Sequence, residues 1–301
     1  MGLPRALQPS SCIGLALGRH GLSAVHASAR GGHMRIEWLG GSGRDDTVAP
    51  GDCSRLSDEI EALLRDIAGR IGRRYVPFQL ALPDPLVDAV VLELEELPGS
   101  SKARSELVRW HLAKHLHLDG QSLQITTQYL GQSGDRHLLL GLAVSADLLE
   151  AVNAAFAGAG LPPAVIDMAA CYRHNYFAPQ FEPGSGALVC LEPDYWSVSL
   201  WDQSGRLRQV RSRWRDGALG NTGEYRRVAA EVERTVMAYV HGAPERRIER
   251  LYAACSSGNA DALCEALNER SRETCTALSL PSLPHGQGTT SLAAIASASC
   301  R

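Results

Sequence analysis

The stretch from 187 to 213, ALVCLEPDYWSVSLWDQSGRLRQVRSR, leaves a chain little choice of fold. Apolar runs at 187–191 and 196–201 flank a short turn holding Pro193 and Asp194, and a second turn at 202–205 leads to a third run at 207–211. Runs of about five β-favouring residues, punctuated by Pro, Asp, Gly and Ser, predict an antiparallel meander. A shorter echo stands near the start: CIGLAL at 12–17, a turn at 18–21, and LSAVHA at 22–27. Two hairpins of one design, one in each half, predict a duplicated architecture.

Strands and helices alternate through the rest. Leu56, Ile60, Leu63, Leu64, Ile67 and Ile71 fall at helical spacing and predict a helix over 54–72, with Ser54 or Ser57 as its cap. Strands are expected at 33–39, 76–83, 86–94, 124–130, 137–144, 164–168, 250–255 and 274–280. Helices are expected from Ser100 or Ser101 to Leu116, after Ser145, at 169–177, along Tyr225, Val228, Val232, Val236 and Tyr239, at 260–268 and at 292–299. The alternation gives an α/β fold with mixed sheets.

With 301 residues, 45% hydrophobic and 21% charged, the chain has material for two globular domains of ordinary size. A net charge of -3 offers no field for nucleic acid. Arg206, Arg208, Arg211, Arg213 and Arg215 alternate along a strand and mostly share a face, read as a solvated surface in preference to a contact for an acidic partner. No apolar run approaches the ~20 residues of a bilayer span. The first twelve residues lack the apolar core of a secretion signal, and the cysteines at 12, 53, 171, 190, 255, 264, 275 and 300 form no CxxC. A reduced, cytoplasmic protein is expected. His111, His115 and His117 near a helix end fit the helix dipole better than a zinc site. No HExxH, Walker loop or G-x-S-x-G elbow is present, so no motif supports an enzyme and no metal is expected.

Several stretches resemble one family. PFQLALPDPLVDAVVLELEELP at 77–98, followed by a helix with Trp110, looks like a segment of PilM-type pilus assembly proteins. The run from His137 to Cys171 (HLLLGLAVSADLLEAVNAAFAGAGLPPAVIDMAAC) is similar to the family's strand, helix, turn, strand and helix. EYRRVAAEVERTVMAYVHG at 224–242 and LYAACSSGNADAL at 251–263 resemble the long helix and the nucleotide loop after it. The resemblance implies an actin-like (ribonuclease H-like, duplicated) fold related to FtsA. It has a first half at 1–76, an inserted subdomain at 77–155, a return at 156–186, and a reduced second half at 187–301. The compact second half looks closest to the MshI branch serving MSHA-type pili.

An actin-type ATPase needs carboxylates at both hairpin turns to hold a metal, and glycine-containing turns to cradle phosphates. The family's Asp-x-Gly reads Ala16–Leu17–Gly18 at the first hairpin and Cys190–Leu191–Glu192–Pro193 at the second. The third loop keeps one glycine, in Ser256–Ser257–Gly258. Gly14, Gly18, Ser256, Ser257 and Gly258 are therefore expected as a vestigial nucleotide site without hydrolysis, unless Glu192 or Asp194 supplies the acid from a shifted position. No cofactor is expected, with weak ATP and magnesium binding left open.

The resemblance then implies a scaffold peripheral to the inner membrane. It would bind the N-terminal cytoplasmic peptide of a PilN- or MshJ-like bitopic protein in a groove between the first half and the insertion, with the pilus assembly ATPase as a further partner. Arg109, Trp110 and the 77–94 strands are the candidate contacts, against the plainer reading that Trp110 packs in a core. The alternatives are an active PilM-type ATPase and a GspL-like component that recruits a type II secretion ATPase.

Overall fold

The computed structural model describes residues 11–19, 21–30, 33–43, 53–71, 76–116, 122–161, 164–215, 222–243, 246–256, 259–278 and 292–299. The first half opens with an antiparallel meander, β1 (Ser11–Gly18), β2 (Gly21–Arg30) and β3 (His33–Gly43), followed by α1 (Cys53–Ile71). β4 (Phe78–Leu82) then lies parallel to β1, with Ile13 beside Phe78 and Ala16 beside Ala81. An inserted unit follows, comprising β5 (Asp88–Leu94), α2 (Ser101–Leu116), β6 (Leu123–Ser133) and β7 (Arg136–Ser145). The chain returns through α3 (Ala146–Gly158), β8 (Val165–Met168) and α4 (Ala169–Phe177).

The second half repeats the plan: β9 (Gly186–Leu191), β10 (Tyr195–Trp201), β11 (Leu207–Trp214), α5 (Thr222–His241), β12 (Arg250–Cys255), α6 (Ala260–Asn268), β13 (Cys275–Ala277) and α7 (Leu292–Ser299). The two large sheets run β3-β2-β1-β4-β8 and β11-β10-β9-β12-β13. Numbered within its own half, each reads 3-2-1-4-5, with a helix after its third, fourth and fifth strands. The duplication suggested by two hairpins therefore holds strand by strand.

Burial explains the local choices. β9 and β10 are buried along their whole length, as strands covered on both faces must be, and both are apolar nearly throughout. Leu56, Ile60, Leu63, Leu64 and Ile67 put one face of α1 into the first core. Tyr225, Val228, Val232 and Tyr239 do the same for α5 in the second. Ser100 caps α2, its hydroxyl accepting from the Ala103 N–H at 3.1 Å. Ser145 stands at the cap of α3, but its side chain makes no capping bond.

The last helix of the chain belongs to the other half's sheet. Ala293, Ala294, Ile295 and Ala296 of α7 pack with Ala16, Val25, Ala27 and Ala81 of β1, β2 and β4. Small residues on both sides let helix and sheet approach closely. α4 bridges in the opposite sense, as Phe177 packs with Leu188, Trp201 and Tyr252 of the second half.

Two sequence expectations change here. β4 is an interior strand of the first sheet and α3 packs on α1, so the separate sheet β5-β7-β6 with α2 spans 88–145, narrower than 77–155. The arginine stripe is a solvated face only in part: the Arg211 and Arg213 side chains are 51% and 70% exposed, whereas those of Arg208 and Arg215 are 8% and 3%. Arg206 donates to the Gln132 carbonyl and Arg208 pairs with Glu93, both on the inserted unit. Arg211 and Arg213 reach Glu231 of α5, and Arg215 reaches Glu224. Alternation splits the set: the even-numbered pair faces the insertion and the odd-numbered three face α5.

Candidate functional site: a cleft closed by its own charges

The two central hairpins turn toward each other. The first turns after Gly18, where Gly18 pairs with Gly21, and the second turns through Glu192–Asp194, where Glu192 N–H donates to the Tyr195 carbonyl at 2.9 Å. The Arg19 backbone N–H, at the tip of the first, donates to the Asp194 carboxylate at the tip of the second. A turn N–H of the kind that cradles a phosphate is thus given to the protein's own anion.

Behind this contact α4 delivers Arg173 to the middle of the molecule, with 1% of its surface exposed. Its Nη2 donates to Asp84 and, at 2.7 Å, to Ser197 Oγ. Its Nη1 donates to Glu192 Oε1 and to Tyr195 Oη, each at 2.9 Å. The guanidinium also lies 5.5 Å from the Tyr195 ring centroid. Burial alone would push Arg173 toward the neutral form, but Asp84, the Tyr195 and Cys190 side chains and Glu192 outweigh it and hold the cation well above its ordinary pKa. Tyr195 moves up too, first because it is buried.

Each carboxylate is further held. Asp84, fully buried just after β4, accepts from the Ala170 N–H at the start of α4 at 2.7 Å. Glu192 accepts from the Ala293 N–H at the start of α7 at 2.9 Å and from the Ser256 hydroxyl. Helix N-termini favour negative charge, so both acids sit where the macrodipoles stabilise them. Arg215 covers the rest of the second turn. Its Nη1 donates to the Glu192 and Pro193 carbonyls at 2.7 and 3.1 Å, and its Nε to Glu224 at 2.6 Å.

The expected residues divide. Gly18 lies at the first turn and Ser256 in the cleft, where its hydroxyl binds Glu192. Gly14 is mid-strand, between Val25 and Gln79, and so is not part of a turn. Ser257, Gly258 and His117 lie outside the described residues. Arg109 and Trp110 are on α2; Arg109 donates to the Leu123 carbonyl at 3.0 Å, and Trp110 is 62% exposed under the Lys114 ammonium. The core-packing reading of Trp110 fails, because Val108 and Leu112 carry the burial of that helix. Asp84 and Arg173 were missed. The only signals were an acid directly after an apolar strand (LALPD) and a cation among the aromatics of CYRHNYF.

A nucleotide with its metal does not fit this arrangement. Glu192, the acid nearest the lost family position, and Asp84 are both ion-paired to one guanidinium, whose positive charge would repel a divalent cation brought against them. Asp194, the other compensating candidate, already accepts from Arg19.

No protein-family model matches the chain, and no curated protein matches it in sequence. Solved structures do match in shape. The PilM-PilN type IV pilus biogenesis complex contains a chain 14% identical, with a TM-score of 0.59 over 89% of this chain and 88% of that one. A Bacteroides thetaiotaomicron protein with an actin-like ATPase fold and unknown function is 12% identical, with a TM-score of 0.56 over 92% and 94%. The cytoplasmic domain of EpsL, from the type II secretion system of Vibrio cholerae, is 12% identical, with a TM-score of 0.49 over 88% and 97%. The chain has an actin-like fold, with an inserted subdomain in the first half and a reduced second half.

Proposed function

We propose that this chain is an actin-like scaffold that has kept the fold and given up the nucleotide chemistry. It would serve a pilus or secretion assembly at the inner membrane, of the MSHA-like type IV kind. The observation that carries the reading is the Asp84–Arg173–Glu192 cluster, which occupies with ion pairs the place where an actin-type site needs free carboxylates. The fold shared with a chain of the PilM-PilN type IV pilus biogenesis complex supports a peptide of a PilN- or MshJ-like membrane protein as the partner. Among the described residues no helix is long and apolar enough to cross a membrane.

A cleft of about 320 Å³ beside the inserted unit suits such a peptide. It lies between β5 of the insertion and β11 of the second half, both edge strands, rather than between the first half and the insertion, with Val90, Leu140 and Val210 as apolar lining and Glu93, Arg208 and Arg246 around them. An extended peptide there would gain main-chain hydrogen bonds along an edge and apolar anchors at alternate positions. Arg109 and Trp110 do not line it.

Calorimetric titration with the N-terminal peptide of a single-span pilus protein, with and without Mg-ATP, tests the reading. Saturable binding, indifferent to nucleotide and lost in Val90→Arg, is the expected result. Binding that requires Mg-ATP would restore the ATPase reading. No binding in either condition would remove the pilus assignment.

A further inference from the structure

α6 and β13 bring two thiols into contact in the second core. Cys264 lies within α6, Cys275 opens β13, and their Sγ atoms are 2.9 Å apart. Both are free and buried, packed in one cluster with Leu263 and Leu267. An S–S bond is about 2.05 Å long, so each sulfur needs to move by less than about 0.5 Å to form one. Fixed backbone holds the pair in place. Cys275 pairs with Leu251 of β12, and its N–H donates to Asn268 Oδ1 at 2.7 Å. α6 is capped by Asn259, whose Oδ1 accepts from the Asp261 and Ala262 N–H groups at 2.9 and 3.3 Å.

We propose that Cys264 and Cys275 form a redox-sensitive pair, oxidised to an intramolecular disulfide by hydrogen peroxide. The sulfur–sulfur hydrogen bond draws the Cys264 thiol down and pushes the Cys275 thiol up, so Cys264 loses its proton first. The Cys264 thiolate attacks one peroxide oxygen and the O–O bond breaks. The departing hydroxide takes up the proton that Cys264 lost, giving water and a sulfenic acid. The Cys275 sulfur then displaces hydroxide from that acid; its own proton joins the hydroxide, and the S–S bond forms with a second water. Two thiols give two electrons and two protons to one peroxide.

The neighbouring thiol of Cys255 is pushed up to about 12, mainly by burial and then by Cys264, so it stays protonated and does not compete. The bond would staple α6, which starts just beyond Ser256, the residue whose hydroxyl holds Glu192 in the cleft.

The test uses the full folded chain, treated with a small excess of hydrogen peroxide, quenched, denatured and alkylated. The alkylated intact chain should carry two labels fewer than the untreated control, with a further loss of about 2 Da for the two thiol hydrogens, and peptide mapping should join Cys264 to Cys275. The melting temperature should rise by roughly 5 °C and return on reduction. Cys264→Ser and Cys275→Ser should each abolish the mass loss. Recovery of both cysteines as alkylated thiols in the treated wild type would overturn the proposal. So would a sulfinic Cys264 without a cross-link, or a cross-link that persists in Cys264→Ser. The wild-type peptide map decides alone if a variant does not fold.

Discussion

Arg173 sets what the cleft can do. A buried cation between two buried acids contributes little net stability compared with apolar packing, yet removing one member leaves the others uncompensated. Arg173→Met should therefore cost about 3–5 kcal/mol in urea denaturation. Adding Asp84→Asn and Glu192→Gln to that variant should recover a large part, because no buried charge then remains unpaired. Equal stability of Arg173→Met and wild type would show that the cluster does not organise the cleft. The adjacent His174 sets a pH dependence. Its ring lies 5.5 Å from Phe181 and 5.3 Å from Trp201, and burial lowers its pKa although a hydrogen bond with the Gly205 backbone works the other way. Unfolded, the imidazole binds a proton near its ordinary value of 6.5; folded, it resists to lower pH. Between those values the unfolded state holds more protons, so this group's contribution is complete above about pH 6.5 and is lost as pH falls through the folded pKa. His174→Gln should flatten the fall in urea midpoint between about pH 7.5 and 5.5 relative to wild type.

The elements show where sequence patterns carry structure and where they stop. Gly141 of β7 is a glycine because α2 lies directly on it: a Cβ there would stand 2.5 Å from the Val108 Cγ1. Gly141→Ala should lift α2 from the inserted sheet and lower stability by about 1–3 kcal/mol, with partial recovery on adding Val108→Ala. Thermal unfolding of the three variants measures it. Helical spacing made α1 and α5 legible, and the small-residue run made α7 legible over 292–299, because period and breakers act within a few residues. Trp110 misled because an aromatic residue implies burial by its type, whereas its position beside Val108 turns it outward. The Arg173–Asp84 pair, 89 residues apart, and α7's place on the opposite half's sheet leave no local period to read. The same is true of β4, whose partner β1 decides that it belongs to the first sheet rather than the insertion.

At the scale of the whole molecule, independent ties hold the halves together. The Arg19 N–H meets Asp194, Arg173 joins Asp84 to Glu192, α7 lies across the first sheet, and Arg208 and Arg246 reach Glu93 of the insertion. An actin-like machine that opens and closes on nucleotide must break such ties in each cycle, and here two of them run through groups buried from water. Mg-ATP should therefore leave amide exchange at residues 11–19 and 186–196 unchanged in the wild type. Asp194→Ala removes the carboxylate joining the two turns, and exchange at both should rise by about fivefold, the equivalent of roughly 1 kcal/mol of lost hydrogen bonding. Exchange-coupled mass spectrometry reads both segments in one experiment. Slower exchange at both turns of the wild type on adding Mg-ATP would mean that Arg173 releases its acids to a metal. The cleft would then be a working nucleotide site held shut only at rest.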